Sequence, residues 1–186
     1  MGRKRIITLA VDFDDMCDGV VDMLPHLSTV KSRYPLFNCT LFTIPLRTSQ
    51  ATIDIVSRLN DEHGDKWIAL APHGWRHTRG ECLAWTKNEA IDKIQRAAKM
   101  GIDEPVFKAP AWLCDGDIRD ACTELGYGLY DHPLSKLRGV VHGHLTPVSG
   151  NWIGDMIADG RLQFATSATF TWVRDFVKQH GGQCAS

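Results

Sequence analysis

The chain has 186 residues, of which 44% are apolar and 23% charged, the profile of a folded domain with one full-sized core and not of a disordered segment. Its 21 Lys and Arg nearly balance its 22 Asp and Glu, which excludes the strong basic field of a nucleic-acid or anionic-membrane binder. Six scattered cysteines (Cys17, Cys39, Cys82, Cys114, Cys122, Cys184) form no Cys-x-x-Cys pair, so a zinc ribbon, a thioredoxin-like motif and a compact disulfide scaffold are excluded, and buried thiols are expected.

Residues 6–13 are a near-continuous apolar run rich in β-branched side chains, the profile of a strand buried on both faces, as in a parallel sheet. The run is too short for a signal h-region and has no small-residue cleavage site. No stretch reaches the roughly 20 apolar residues of a membrane span, so a cytoplasmic location without membrane contact is expected. Residues 37–44 read as a second strand. Over residues 49–60, Ile53, Val56 and Leu59 fall at helical spacing, with a stop at His63-Gly64. Residues 66–71 form the next strand. Thr86-Lys87-Asn88-Glu89 is a capping-box signature that opens a helix through Met100, ended by Gly101, with Ala90, Ile91, Ile94, Ala97 and Ala98 on its buried side. A short strand at 105–108, a helix at 115–125 ended by Gly126 and a strand at 127–130 follow. The last expected elements are strands at 139–145 and 162–166 and helices at 151–158 and 171–180. Six or seven strands alternating with helices predict an α/β domain with a parallel sheet, either open or closed into a barrel, occupying residues 1–186 as one unit.

Three groups of chemically active residues fall where predicted strands end, the edge at which parallel α/β folds build their sites. Asp12-Phe13-Asp14-Asp15 ends the first strand. Carboxylates this close repel one another unless a cation or a shared proton neutralises them, which points to a metal ion. His73-Gly74-Trp75-Arg76-His77 follows the third. Two imidazoles four apart face the same way if the segment makes a helical turn, and with a carboxylate from the first group they complete a two-His, one-carboxylate set suited to zinc, with cobalt, nickel and manganese as alternatives. The third group comprises Phe107-Lys108-Ala109-Pro110-Ala111-Trp112 and Val140-Val141-His142-Gly143-His144. His142 and His144, two apart on a strand, share a side and are both candidates for a catalytic acid.

In this order, the motifs resemble the polysaccharide deacetylase family of chitin, chitooligosaccharide and peptidoglycan deacetylases. Asp12-Phe13-Asp14-Asp15-Met16 looks like its first motif, Thr-Phe-Asp-Asp-Gly. His73 to His77 matches the second, His-(Ser/Thr)-x-x-His, with Gly74 in place of the hydroxyl residue, and Lys108-Ala109-Pro110-Ala111-Trp112 looks like the third, Arg-x-Pro-aromatic, with the Trp one position late. His142 and His144 stand near the fifth. The fourth, an aspartate with a tryptophan, has only Asp131 as a candidate.

The resemblance implies a distorted (β/α) barrel of about seven parallel strands and one divalent ion on Asp15, His73 and His77. Asp14 is then the base, Lys108 keeps it ionised, and His142 or His144 is the acid. A backbone N–H near Ala111 or Trp112 would meet the oxyanion. Trp75 and Trp112, with Pro110 and Ala111, would line the substrate pocket. The implied reaction is hydrolytic removal of an acetyl or other acyl group from an N-acetylated saccharide or related small amide. Two other readings remain open. A strand ending in Asp12-x-Asp14 also looks like the nucleophile motif of haloacid dehalogenase-type phosphatases, which would leave His73 and His77 unexplained. Lysine at 108, which keeps the charge of an arginine but not its planar fork, also allows a glycan-binding barrel without catalysis.

Overall fold

In the computed structural model, residues 9–33, 35, 37–130 and 140–144 are described. Strand β1 (Leu9–Met16) leads through a 3-10 turn at Asp18–Met23 into helix α1 (Leu24–Arg33), and β2 (Phe37–Thr43) is followed by α2 (Gln50–His63). Next come β3 (Ile68–Pro72), α3 (Lys87–Lys99), β4 (Val106–Lys108), α4 (Gly116–Leu125), β5 (Gly128–Tyr130) and β6 (Val140–His144). The expected elements at 151–158, 162–166 and 171–180, and the candidate Asp131, lie outside the described residues.

Every described strand pair is parallel. One sheet has the order β3-β2-β1-β6 and a second pairs β4 with β5. A single parallel bridge between His73 and Lys108 links the end of β3 to β4. The residue alternation of the strands sorts two environments. Phe13, Leu41 and Leu70 join α1 and α2 residues Leu24, Leu27, Ile53 and Val56 in the main core, and Phe107 joins Ala90, Ile94, Ile118 and Ala121 in a second cluster under α3 and α4. The next residue along β1, β2 and β4 is Asp14, Phe42 or Lys108, each buried. Lys108 lies against both Asp14 and Phe42, so these three share the other side.

The helix signals act as their chemistry predicts. The Thr86 hydroxyl accepts from the Glu89 amide while the Glu89 carboxylate accepts from the Thr86 amide, a complete capping box for α3. Gly64 (φ 72°) ends α2 and Gly126 (φ 72°) ends α4, left-handed positions that a side chain would strain. No element is expected from the sequence between β1 and β2, yet the segment holds α1. Val20, Leu24 and Leu27, the pattern that would have revealed the helix and its lead-in turn, are all buried. At the start of β2, the buried Lys31 ammonium donates to the carbonyls of Pro35 (2.7 Å) and Phe37 (3.2 Å) and to Asp65 (2.8 Å), so the N-terminal strand edge is closed by a satisfied cation. The C-terminal edge is where Asp14, Asp15, His73 and Lys108 collect.

Candidate metal centre

Ordinary alternation would send Asp14 and Asp15 to opposite faces of β1. The β1–β2 register shifts between Phe13 and Met16, and Asp15 takes φ 68°. Such a bulge re-aims side chains at a strand end. Asp14 faces Lys108 as a result, while Asp15 turns toward the loop after β3.

That loop does not make the helical turn expected for His73 and His77. Residues 74–80 are irregular, and Gly74 (φ 62°), His77 (φ 63°) and Gly80 (φ 76°) all adopt left-handed backbone. His73 ends β3 by bridging to β4, and a turned loop brings His77 back over it, with ring centroids 4.7 Å apart. His77 Nε2 lies 2.8 Å from Asp15 Oδ1 and His73 Nε2 lies 3.7 Å from the same oxygen. Among the described residues, Asp15, His73 and His77 offer one ligand atom each within 4.8 Å of one another.

These donors suit a divalent ion. With bonds of about 2.0–2.1 Å, ligand atoms at tetrahedral or octahedral angles sit roughly 3 Å apart, close to the two distances found. His73 Nδ1 lies 2.9 Å from the Lys108 carbonyl oxygen. A carbonyl only accepts, so Nδ1 carries the proton and Nε2 presents its lone pair toward Asp15, the arrangement typical of a metal-binding histidine. Burial lowers the His73 pKa to about 4, against the opposing pull of Asp14 and of the Lys108 carbonyl, so the ring is in its neutral, ligating form near pH 7. His73 is buried, while the side chains of Asp15 (30% exposed) and His77 (29%) are half-buried, with the Asp15 Oδ1 that faces both histidines itself buried.

Beside them lies a buried ion pair. Lys108 Nζ donates to both oxygens of Asp14, at 2.6 and 2.5 Å, across 94 residues of sequence. The same ammonium sits 3.9 Å from the Trp112 ring centroid and 5.1 Å from that of Phe42. Phe42 also packs on His73 (6.1 Å) and Tyr130 (5.2 Å), so it floors the site. Neither Phe42 nor Tyr130 carried a signal in the sequence beyond its strand. In β6, His144 takes the register position opposite Asp14 and His142 the one opposite Asp12.

Trp112 therefore belongs to the site. Pro110 is buried and closes on Gly74, and Ala111 (φ 55°) and Trp112 (φ 62°) turn the chain there. Four non-glycine residues have positive φ among those described, and Asp15, His77, Ala111 and Trp112 all belong to the motifs at this edge. Strain of this kind persists where surrounding structure over-determines the backbone. The Trp112 amide donates to the Ala109 carbonyl (2.9 Å).

Trp75 does not line this site. Its ring packs against both core clusters and stacks under the Arg96 guanidinium, 4.6 Å away, in a groove of about 350 Å³ lined also by Pro45, Leu46, Lys99 and Met100. Glu81, absent from the sequence expectations, accepts hydrogen bonds from the Trp75, Arg76 and His77 amides. The five cysteines among the described residues are free thiols, and burial pushes the Cys122 thiol up to about 12, which makes it inert. No described helix is long and apolar enough to cross a membrane.

No family model and no curated protein matches the chain. Solved structures do. A family 4 carbohydrate esterase from Streptomyces lividans, determined with acetate, aligns over 97% of this chain and 92% of its own, with TM-score 0.59 and 13% identity. A family 4 pseudoenzyme from Bacillus anthracis aligns over 93% of this chain and 62% of its own (TM-score 0.58, 11% identity). The chitin deacetylase of Colletotrichum lindemuthianum aligns over 98% and 86% (TM-score 0.56, 15% identity). At such identities the likeness establishes the fold alone: an α/β domain similar to the barrels of family 4 carbohydrate esterases. The haloacid dehalogenase reading is left without support from the fold.

Proposed function

We propose that the chain is a metal-dependent deacetylase, a single catalytic domain over residues 1–186 that removes an acetyl or other acyl group from an N-acetylated sugar or related amide. One observation carries the reading: the ligand atoms of Asp15, His73 and His77 converge within 4.8 Å next to the buried Asp14–Lys108 pair. Closure into a distorted barrel of about seven strands is part of the same inference. It is supported by uniformly parallel pairing and by the His73–Lys108 bridge that carries β3 onto β4.

A divalent ion on Asp15, His73 and His77, zinc first by its donor set with cobalt, nickel or manganese as alternatives, supplies Lewis acidity toward an amide carbonyl and toward water. Asp14 is the base that takes the proton of the attacking water. Both its oxygens reach one ammonium, so one can accept that proton while the other keeps the ion pair. Lys108 favours the charged carboxylate by proximity. The Ala111 amide donates to the oxyanion as the carbonyl becomes tetrahedral. His144 protonates the departing nitrogen, chosen over His142 because it stands opposite Asp14 in register and nearer the strand end. Trp112 and Pro110 form the wall on which a sugar ring rests.

Acetate release from N-acetylated chitooligosaccharides by zinc- or cobalt-loaded protein tests this. Asp14→Asn and His144→Ala are expected to lower kcat by roughly 10²–10⁴-fold, the scale of general acid–base catalysis. Lysine at position 108 and the fold shared with a pseudoenzyme favour one second reading, a glycan-binding barrel without turnover. Metal-loaded protein that binds chitooligosaccharides but releases no acetate from any N- or O-acetylated substrate would establish that reading instead.

A further inference from the structure

We infer that Glu81 is a positioning residue that folds the loop after β3 so that His77 reaches Asp15 and His73. The inference rests on the metal reading above and extends it to a residue that touches neither ligand atoms nor substrate.

The loop is tied at its start, where the Gly74 amide donates to the Lys108 carbonyl, the Trp75 carbonyl accepts from the Leu46 amide and the Trp75 ring packs on both core clusters; beyond Trp75 it is open. Arg76, Thr78 and Arg79 are exposed, and residues 74–80 form no regular element. Three of these seven residues are left-handed, and one of them, His77, is not glycine. Successive amides around such residues point inward and make a concave anion site. Here the anion is the protein's own carboxylate. The amides of Trp75 (2.9 Å) and His77 (3.0 Å) donate to Glu81 Oε1, and the Arg76 amide donates to Oε2 (3.0 Å) and Oε1 (3.2 Å). Bonds to an ionised acceptor are stronger than neutral ones. Glu81 itself is anchored, because its amide donates to the Thr78 carbonyl (3.1 Å) and its neighbour Cys82 is fully buried.

Gly74 completes the device. A Cβ at this position would run into Glu81 Oε1 and would sit 2.7 and 2.8 Å from Pro110 Cγ and Cδ. The missing side chain is therefore the space the carboxylate occupies. With three amides gathered on Glu81, His77 takes φ 63° and its ring turns back to within 2.8 Å of Asp15. Without the carboxylate, the amides of Trp75, Arg76 and His77 lose their common acceptor.

The test uses the full chain with Glu81→Ala and Glu81→Gln, cobalt titrated by calorimetry and followed by its visible absorption, and hydrogen exchange measured on the metal-free proteins. Glu81→Ala is expected to weaken cobalt binding about 10–100-fold, as loss of an outer-shell partner does. The amides of residues 75–77 should exchange faster while those of β1 to β3 stay protected. Glu81→Gln, which keeps one acceptor oxygen, should fall between, and it decides the matter if the alanine variant does not fold. Wild-type cobalt affinity in Glu81→Ala overturns the proposal. So does a loss of protection that spreads equally through β1 to β3, because Glu81 would then be a general stabiliser. Wild-type protein that takes up no cobalt overturns the metal reading itself, and is distinguished by failing before any variant is made.

Discussion

At the scale of single residues, the buried Lys108–Asp14 pair has the largest energetic consequence. Each partner is almost fully enclosed, so removing one leaves the other charged in a dry site. Lys108→Met is expected to destabilise the protein by about 3–5 kcal/mol in urea unfolding, the cost of breaking a buried pair. Arginine is not a neutral replacement either. The ammonium fits between the carboxylate and the rings of Trp112 and Phe42, and the bulkier guanidinium should cost about 1–3 kcal/mol by overpacking. Lys108→Arg more stable than wild type would show that the site was built for the planar fork. Asp14, Asp15, His73, His77 and Lys108 could each be named from sequence because they stand at strand ends in a recognisable order. Glu81 could not. A carboxylate that binds three amides of a preceding loop has no spacing rule, and its role exists only once that loop has turned.

Among the elements, the junction of β1 with α2 has its own pH dependence. Asp18 Oδ1 accepts from the Ser49 amide (2.8 Å) and from the hydroxyls of Ser49 (3.0 Å) and Thr52 (2.7 Å), tying the turn after β1 to the start of α2. Burial works to raise the Asp18 pKa, but these hydrogen bonds outweigh it and hold the carboxyl below its usual 3.8. A depressed folded pKa means that the contribution is complete above the unfolded value and is lost as pH falls through the folded one. Asp18→Asn is thus expected to cost about 1 kcal/mol at neutral pH, the scale of a helix cap, screened because the side chain is exposed. The difference from wild type should shrink as pH drops below 3.8. Urea midpoints from pH 7 to pH 2.5 check this; a gap that stays constant with pH would mean that the charge plays no part. The capping box of α3 and the glycine stops of α2 and α4 were legible beforehand because they are local. Helix α1 was not, because Lys31 and the mixed polar run around it obscure a short apolar stripe whose burial depends on β1 and β2.

For the molecule as a whole, the proposed ion would cross-link β1 to the loop after β3. An ion that binds only the folded state at about 100 times its Kd adds about 2.7 kcal/mol. For a chain of this size that corresponds to a rise of roughly 5–10 °C in Tm. Calorimetric melting with cobalt and with chelator should show the rise in wild type and its loss in Asp15→Ala and His77→Ala. An equal shift in those variants would assign the stabilisation to another site.

The alternation of apolar strands with capped helices is written into local residue order, and it was enough to determine an α/β chain with parallel strands and candidate site residues at their C-terminal ends. Periodicity has no information about which strands become neighbours. Only the tertiary structure set β1 between β2 and β6, placed Lys108 on Asp14 from 94 residues away and laid the partly buried Trp75 against both core clusters. It also replaced the expected helical turn at His73–His77 with a left-handed loop held by Glu81. Spacing in sequence carries direction only while the backbone is regular, and the site is assembled where β1 bulges and β3 ends.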